Sequence, residues 1–557
     1  MKKVLIIGVG GFVGPYLVHE FSINNYEVYG TKIESENINV DNCKIYNLNI
    51  CNKDEITSLL KQINPDYIVH LAAQSSVALS WKKPQMTFEI NVIGTINLLE
   101  SIKEICPKSR ILLVGSSEEY GKVESGRPVN EQHTCNPTNI YALSKYTQEQ
   151  IGRLYFDAYG INVMFTRSFN HIGPGQSSTF VVSDFCNQVV NIENGIQEYI
   201  SVGNLDAYRD FTDVRDVVNA YRVIIEKGNI GESYNVGSGK AIKIKEILNS
   251  IIELSNVKIN IVVDKSRFRP IDVEKIECDN SKLVKLGWNI SYTIDNSLKD
   301  IIGYFRKHFY EIGREKLLNF TFNNYTMDEA ISKIDLFIKN KYKGYVVTPN
   351  TDHAVILDKS TEFQKIYDDA SFVFIDGKPL IWIARKHGIK VKEKLSGSDL
   401  FPKVCELCSI KGYSMFFLGA KDGIAKLAAD KLKKKYNGLI IKNTFSPKYG
   451  FESDKKYDEN ILSMINGENI NVLILGLGSP KQEKWAYKHI NELNVNLILC
   501  IGASLDFEAG NIKRAPKFMQ NIGLEWFYRF IKEPRRLFKR YFIDDIKILS
   551  IMRKYKK

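Results

Sequence analysis

In the first half of the chain, apolar residues come in short blocks that end on glycine or polar residues, and between the blocks they recur at helical spacing. The block at residues 3–8 runs into Gly8-Val9-Gly10-Gly11-Phe12-Val13-Gly14 and then into a periodic stretch through Leu17, Val18 and Phe21. A second block, at 67–70, leads into Leu71-Ala72-Ala73-Gln74, and a third, at 110–114, into Gly115-Ser116-Ser117-Glu118-Glu119-Tyr120-Gly121. Strand-sized blocks alternating with helix-sized periodic stretches predict a doubly wound parallel sheet, in which ligands gather at the carboxyl ends of the strands.

A charged, amphipathic stretch at residues 299–316 ends this pattern, and a new one starts near Leu317. Apolar blocks at 344–347, 371–375, 413–418, 471–475 and 497–501 each run out into glycine and polar residues, which predicts a second α/β sheet with its ligand edge on one side. The expected domains are therefore 1–312 and 313–557, and 557 residues is indeed too long for one hydrophobic core.

Composition adds little to this until charge is placed. A hydrophobic content of 44% with 25% charged residues is ordinary for folded protein. Met1-Lys2-Lys3 and the apolar block after it imitate a signal peptide, but the block is short and runs straight into glycines, so it reads as a first strand. Nowhere do roughly 18 apolar residues run uninterrupted, so no membrane-spanning helix is expected and the reading is cytoplasmic. The nine cysteines are scattered, and the Cys405/Cys408 pair lacks the partners a zinc site needs. Of the net charge of +12, +10 lies in the last 47 residues, where 14 Lys/Arg face 4 Asp/Glu. Such a tail suits nucleic acid, anionic lipid or an anionic substrate.

Three features of the first half carry chemistry. Gly8, Gly11 and Gly14 open a helix whose free N–H groups and positive dipole end suit a pyrophosphate. Ser116 falls at a strand end. Tyr141 and Lys145 lie one helical turn apart, so that an ammonium can favour the phenolate of a general acid/base. In this order these residues resemble the extended short-chain dehydrogenase/reductases that act on nucleotide sugars, with a Rossmann-type sheet and a smaller substrate lobe. The stretches Arg167–Gln176, Val202–Asp216 and Arg267-Phe268-Arg269-Pro270 most resemble the GDP-6-deoxy-4-keto-mannose reductases, and next the GDP-mannose 4,6-dehydratases. The resemblance implies an NADP or NAD cofactor held by Gly8, Gly11, Phe12, Val13, Gly14, Lys32, Asn49, Ile50, Leu71, Ala72 and Ala73 with Tyr141 and Lys145. It further implies proton exchange at Tyr141, a substrate hydrogen bond from Ser116, and a GDP-sugar held by Asn170, Arg209 and Arg269. Pairing of two copies through two helices is also implied. Two departures stand out. Glu118 sits where the dehydratases carry a catalytic glutamate, which keeps dehydration open; the bland reading is a solvated loop carboxylate. The second strand ends on Tyr29-Gly30-Thr31-Lys32 without an acidic residue for the adenosine 2′-hydroxyl, so Lys32 leans the expectation toward a 2′-phosphate. Asn49 likewise replaces a common adenine-binding aspartate.

In the second half, Thr348-Pro349-Asn350 and Asp376-Gly377 stand at strand ends, where Asp376 is either a general base or a turn cap. Together with Gly476–Glu483, Ala509–Pro516 and Gly523–Arg529 they resemble the WecG/TagA/CpsF glycosyltransferase family, over about Leu317 to Arg540. That resemblance implies inverting transfer of an N-acetylmannosamine-type sugar from UDP to a polyprenyl-diphosphate-linked acceptor. Asp376 would be the base, with Thr348, Asn350, Gln482, Arg529 and Arg536 in the pocket. No D-x-D pair stands near the strand ends, so no metal is expected. Aromatics interleave with Lys and Arg from Trp526 to Phe542, which suits a membrane-surface appendage over about 520–557 on the inner face of the cell membrane. Nucleic-acid binding is disfavoured because no recognised fold accompanies the charge. The combined expectation is a bifunctional enzyme of surface polysaccharide or glycolipid assembly. The rivals are a dehydratase or epimerase in the first half, or a non-catalytic nucleotide-sugar sensor regulating the transferase.

Overall fold

The computed structural model describes residues 1–557 except 37, 39, 124–126, 269–273, 312, 513, 517, 518, 520–524, 533, 535–537, 539–546, 556 and 557. The chain forms two compact units, Met1–Phe305 and Arg306–Lys557.

The first unit is built on strands β1 (Lys3–Ile7), β2 (Glu27–Lys32), β3 (Cys43–Asn47), β4 (Tyr67–His70), β5 (Arg110–Ser116) and β6 (Val163–Ser168). After them come β7 (Asn170–Ile172), β8 (Tyr199–Val202), β9 (Tyr208–Asp213), β10 (Ser233–Val236), β11 (Ala241–Lys243) and β12 (Asn260–Val263). Seven strands make one parallel sheet in the order β10-β6-β5-β4-β1-β2-β3. Its central strands are buried on both faces, which is why they read as unbroken apolar runs. Val4, Ile6, Val69 and Leu112 pack into one core, and Leu5, Ile7, Ile68 and Ile111 into the other. Each such fully buried branched side chain contributes roughly 1.5–3 kcal/mol. The helix Val13–Ile23 buries Leu17, Val18 and Phe21, the positions the periodicity singled out. A smaller lobe is carried by the sets β11-β9-β7 and β12-β8.

The second unit opens with a hairpin of β13 (Arg314–Leu317) and β14 (Phe320–Asn323). Its six-stranded parallel sheet runs β16-β15-β20-β19-β17-β18, from β15 (Gly344–Val347), β16 (Phe372–Val373), β17 (Ser414–Gly419), β18 (Ile440–Phe445), β19 (Val472–Gly476) and β20 (Leu497–Cys500). Alternate residues again serve two cores: Val347, Val373, Leu473 and Ile498 on one face, Val346, Phe372, Ile474 and Leu499 on the other.

Two elements differ from the pattern. The amphipathic stretch at 299–316 is the end of a helix, Ile294–Phe309, followed by β13, so the new pattern begins before Leu317. The apolar block at 371–375 forms only a two-residue strand. Its one neighbour, β15, gives way at Val347 to Thr348-Pro349, and the chain follows through Phe374 N–H to Val347 O and Asp376 N–H to Pro349 O. Among the described residues no helix is long and apolar enough to cross a membrane, and no group of three or more His, Cys, Asp and Glu is placed to hold a metal ion. All nine cysteines are unpaired, Cys405 and Cys408 being buried.

Candidate active sites

At the carboxyl edge of the first sheet, the loop after β1 closes tightly on its neighbours. Gly8 has φ +94°, and a Cβ there would stand 2.8 Å from Ala72 N, so only glycine lets the loop meet the end of β4. Leu71 and Ala72 N–H both donate to Ile7 O, at 2.9 and 2.8 Å. On the other side Gly8 N–H donates to Thr31 Oγ1 at 3.1 Å and Val9 N–H to Thr31 O at 2.8 Å. Over Gly11 the surface is open: a Cβ there would have only Gly8 O, 3.9 Å away, within reach. This open glycine surface beside the N-terminus of Val13–Ile23 fits a pyrophosphate. Phe12 stacks on His171 with centroids 6.0 Å apart, and Val13 begins the helix.

The side chains around this loop are already engaged. Lys32 donates its amine to Glu36 O, and the Glu36 carboxylate takes Ile33 N–H at 3.2 Å and lies against Gly10. Asn49 accepts from Cys51 N–H at 3.1 Å, and Ile50 packs against Gly94. Ala73 is half-buried beyond the end of β4.

Ser116 ends β5 and caps the short 3-10 turn Ser117–Tyr120: its Oγ accepts from Glu118 N–H at 3.3 Å and its N–H donates to Glu119 Oε1 at 2.7 Å. The Ser116 hydroxyl lies close enough to Tyr141 to act on its phenol. Burial pushes the Tyr141 phenol above its ordinary value, with Ser116 opposing. Lys145 follows on the helix Ile140–Tyr159, but its amine points into the sheet, donating to Val114 O at 2.7 Å and Gln148 Oε1 at 3.1 Å. Burial brings Lys145 down to about 8, against the pull of Glu119. Thus Ser116 acts on Tyr141, while the Lys145 amine is bonded to Val114 O and Gln148. Glu118 is half-buried, and its Oε2 accepts from Asn139 Nδ2 at 3.1 Å.

Glu119 is the residue the sequence reading passed over. It is fully buried, its Oε2 makes no hydrogen bond, and the nearest cation is Arg167 Nε at 3.9 Å, which is committed to Glu149. Burial, then the Glu149 charge, pushes the Glu119 carboxyl up to about 8. The Ser116-x-x-Glu119 spacing of a capping box was its available signal. In the lobe, Asn170 is exposed on β7, and Arg209 on the adjacent β9 donates to Tyr208 O at 2.8 Å. Arg269 lies outside the described residues.

In the second unit, the ends of β16, β15 and β20 are adjacent. Asp376 is half-buried at the end of β16, its N–H bonded to Pro349 O at 2.8 Å. Thr348 follows β15, with the first turn of the helix Gly397–Lys411 against it: a Cβ on Gly397 would lie 3.4 Å from Thr348 Oγ1. Asn350 caps the helix Thr351–Leu357 through Asp352 N–H at 3.1 Å, and its Oδ1 is 2.8 Å from His353 Nδ1. Gln482 accepts from Gly502 N–H at 3.0 Å, just past β20, and donates to Glu483 Oε1 at 2.9 Å. The buried Glu483 in turn stands 3.6 Å from His353 Nε2. Thr348, Asn350, Asp376 and Gln482 therefore share one sheet edge, and the His353–Glu483 pair links two of them. Arg529 is on the helix Glu525–Lys532, with its side chain outside the described residues, as is Arg536 entirely.

Comparison with known proteins follows the same division. Residues 5–301 match the family model described as GDP-mannose 4,6 dehydratase, and residues 315–557 match that of the glycosyl transferase WecG/TagA/CpsF family. The chain is 35% identical over 241 residues to a GDP-6-deoxy-D-mannose reductase of Pseudomonas aeruginosa, covering 43% of this chain and 79% of that protein. It is 28% identical over 346 residues to a GDP-mannose 4,6-dehydratase of Vibrio cholerae, covering 54% and 92%. Among solved structures, a UDP-glucose 4-epimerase of Thermotoga maritima with UDP-glucose superposes with a TM-score of 0.52 at 26% identity, over 55% of this chain and 100% of that one.

Proposed function

The chain belongs to the GDP-mannose 4,6-dehydratase family through residues 5–301 and carries a WecG/TagA/CpsF glycosyltransferase domain at 315–557, and from that premise we propose a bifunctional enzyme of surface polysaccharide or glycolipid assembly. Its first half reduces a nucleotide 4-keto-6-deoxy sugar of the GDP-4-keto-6-deoxymannose type. Its second half transfers an N-acetylmannosamine-type sugar from UDP to a polyprenyl-diphosphate-linked acceptor with inversion.

The observation that carries the reductase reading is the Tyr141–Ser116 hydroxyl pair at the end of β5. Tyr141 delivers a proton to the oxygen of the sugar ketone, Ser116 hydrogen-bonds the same oxygen, and the Lys145 ammonium supports the phenolate left behind. The Gly8–Gly14 loop would hold NADPH or NADH, which when bound would supply hydride for the ketone carbon. Asn170, Arg209 and Arg269 hold the GDP portion, arginine suiting diphosphate through its two-pronged donation. The test is a mass-spectrometric product assay with GDP-4-keto-6-deoxymannose and, in separate runs, NADH and NADPH: two added hydrogens that vanish in Tyr141→Phe support the reading, and unchanged turnover in that variant ends it. Glu118 favours a second reading. Its bond to Asn139 and the reach of its charge to Tyr141 support the role of a dehydratase's base. Loss of water from GDP-mannose, abolished in Glu118→Gln, would replace reduction with dehydration.

For the transferase, the adjacency of Asp376, Thr348 and Asn350 on neighbouring strand ends supports Asp376 as the base that deprotonates the acceptor hydroxyl. Thr348, Asn350 and Gln482 line the pocket, and Arg529 and Arg536 neutralise the UDP diphosphate. The acceptor is lipid-linked, so this half works at the inner face of the cell membrane, and the protein acts as a homo-oligomer. Asp376→Ala should abolish transfer while donor affinity stays within threefold; wild-type turnover would end the assignment.

A further inference from the structure

Between the glycine loop and the end of β2 lies a rim whose chemistry is set by Glu36. The two sides of the rim are tied together by the Gly8 and Val9 N–H groups on Thr31, at 3.1 and 2.8 Å. On this rim the turn after β2 folds back. Ile33 N–H donates to Glu36 Oε2 at 3.2 Å, and Lys32 donates its amine to Glu36 O. The Glu36 carboxylate then rests on the loop backbone at Gly10, where a Cβ would overlap it: Glu36 Oε1 would be 2.7 Å away. A side chain at position 10 would have to displace the carboxylate of Glu36.

In a doubly wound dinucleotide-binding sheet, this rim receives the adenosine ribose, and an acidic residue about twenty positions beyond the last motif glycine accepts the ribose 2′-hydroxyl. Glu36 stands about that far beyond Gly14. A carboxylate accepts a hydrogen bond from a hydroxyl but repels a phosphate, which offers no donor and carries like charge. Lys32, the cation expected to compensate a 2′-phosphate, is engaged by the Glu36 carbonyl.

We propose that Glu36 is the specificity-determining residue of the dinucleotide site and that it selects the unphosphorylated cofactor, NADH or NAD, against NADPH or NADP. The proposal rests on the dinucleotide reading of the first unit. It sets this chain apart from what the end of β2 suggests, because the deciding carboxylate comes from the following turn.

The test is direct binding to the intact protein by isothermal titration calorimetry with NADH and NADPH. Wild type should bind NADH at least tenfold more tightly. Glu36→Gln, which keeps the shape and removes the charge, should bring the two ligands to within about threefold, mainly by tightening NADPH. Equal or tighter NADPH binding by wild type would overturn the proposal, as would an unchanged preference in Glu36→Gln that still binds NADH. Lys32→Ala separates the competing contact: a tenfold or greater loss of NADPH affinity there would return the 2′-phosphate to Lys32 and overturn the role of Glu36. If neither ligand binds wild type, the dinucleotide reading fails and the proposal with it.

Discussion

Ser116 donates its backbone N–H to Glu119 Oε1 at 2.7 Å, so the serine at the end of β5 is held from below by a fully buried carboxyl group. The closest cation, Arg167, gives its hydrogen bonds to Glu149, Tyr120 and the Glu131 carbonyl. Glu119 is therefore more easily kept protonated than ionised, which is why burial and then Glu149 raise it. A carboxyl raised on folding stabilises the native state fully below its unfolded pKa, and that contribution is lost as pH rises toward the folded value of about 8. Wild type should thus lose stability between about pH 5 and 8, by up to about 1.4 kcal/mol per unit. Glu119→Gln keeps an acceptor for Ser116 N–H without a titrating group, and its melting temperature should decline less over that range. Parallel pH profiles of thermal unfolding for the two proteins would sink the idea.

Gly8 makes a second prediction. With φ +94° and Ala72 N only 2.8 Å from where a Cβ would be, Gly8→Ala has to strain its backbone and push the loop off the end of β4. The cost should be about 1–3 kcal/mol in chemical denaturation. Because the displaced loop is also the pyrophosphate cradle, dinucleotide affinity should fall at least tenfold by calorimetry. A variant of wild-type stability and affinity would show that the loop is not held as described.

How far the sequence could foresee these contacts depends on what kind of signal each leaves. β1, β4 and β5 are buried on both faces and so announce themselves as apolar runs; the Tyr141/Lys145 spacing and the glycine loop are local in sequence and equally legible. Lys145 is different. Its position is readable, but the choice of Val114 O and Gln148 as its partners depends on the packing of the helix Ile140–Tyr159 on β5. Glu36 and Glu119 sit among charged neighbours and pass for solvated carboxylates, because burial against Gly10 or beneath Ser116 is decided by tertiary folding. The short β16 was over-read for a similar reason, since apolar content alone does not say that β15 gives way at Val347.

The tail offers a test at the membrane. Among its described residues, Phe527, Ile531 and Phe538 are 41%, 60% and 53% exposed, an apolar surface set in a segment of high positive charge. Aromatics at the lipid interface and cations worth about 1 kcal/mol each near anionic headgroups would hold such a segment to a membrane. Truncation after residue 523 should release the protein from phosphatidylserine vesicles in a flotation assay, and raised salt should weaken binding of the full chain. Retention of the truncated chain would rule the tail out as the anchor.

The last prediction concerns Glu483, which joins Gln482 to His353 and, through His353, to Asn350. Burial acts to raise this carboxyl, but the adjacent His353 imidazole and the hydrogen bond from Gln482 outweigh it and hold it below the usual carboxylate range. A depressed carboxylate stabilises the fold above its unfolded pKa, near 4.3, and that contribution is lost as pH falls through the native value. Glu483→Gln removes the charge and leaves His353 facing a neutral amide, at a cost of about 1–3 kcal/mol near neutral pH. Acid unfolding of the variant should then respond less steeply to pH than that of wild type. The catalytic consequence runs through Gln482, whose Oε1 bond to Gly502 N–H depends on the Nε2 bond to Glu483 for its orientation. In Glu483→Ala, which removes that acceptor, transferase kcat should drop roughly 10- to 100-fold, as when a supporting hydrogen bond behind a ligand-holding group is lost, with donor KM changed less. Loss of stability without loss of kcat would make Glu483 a structural residue only, and would leave Gln482 to be oriented by Gly502 alone.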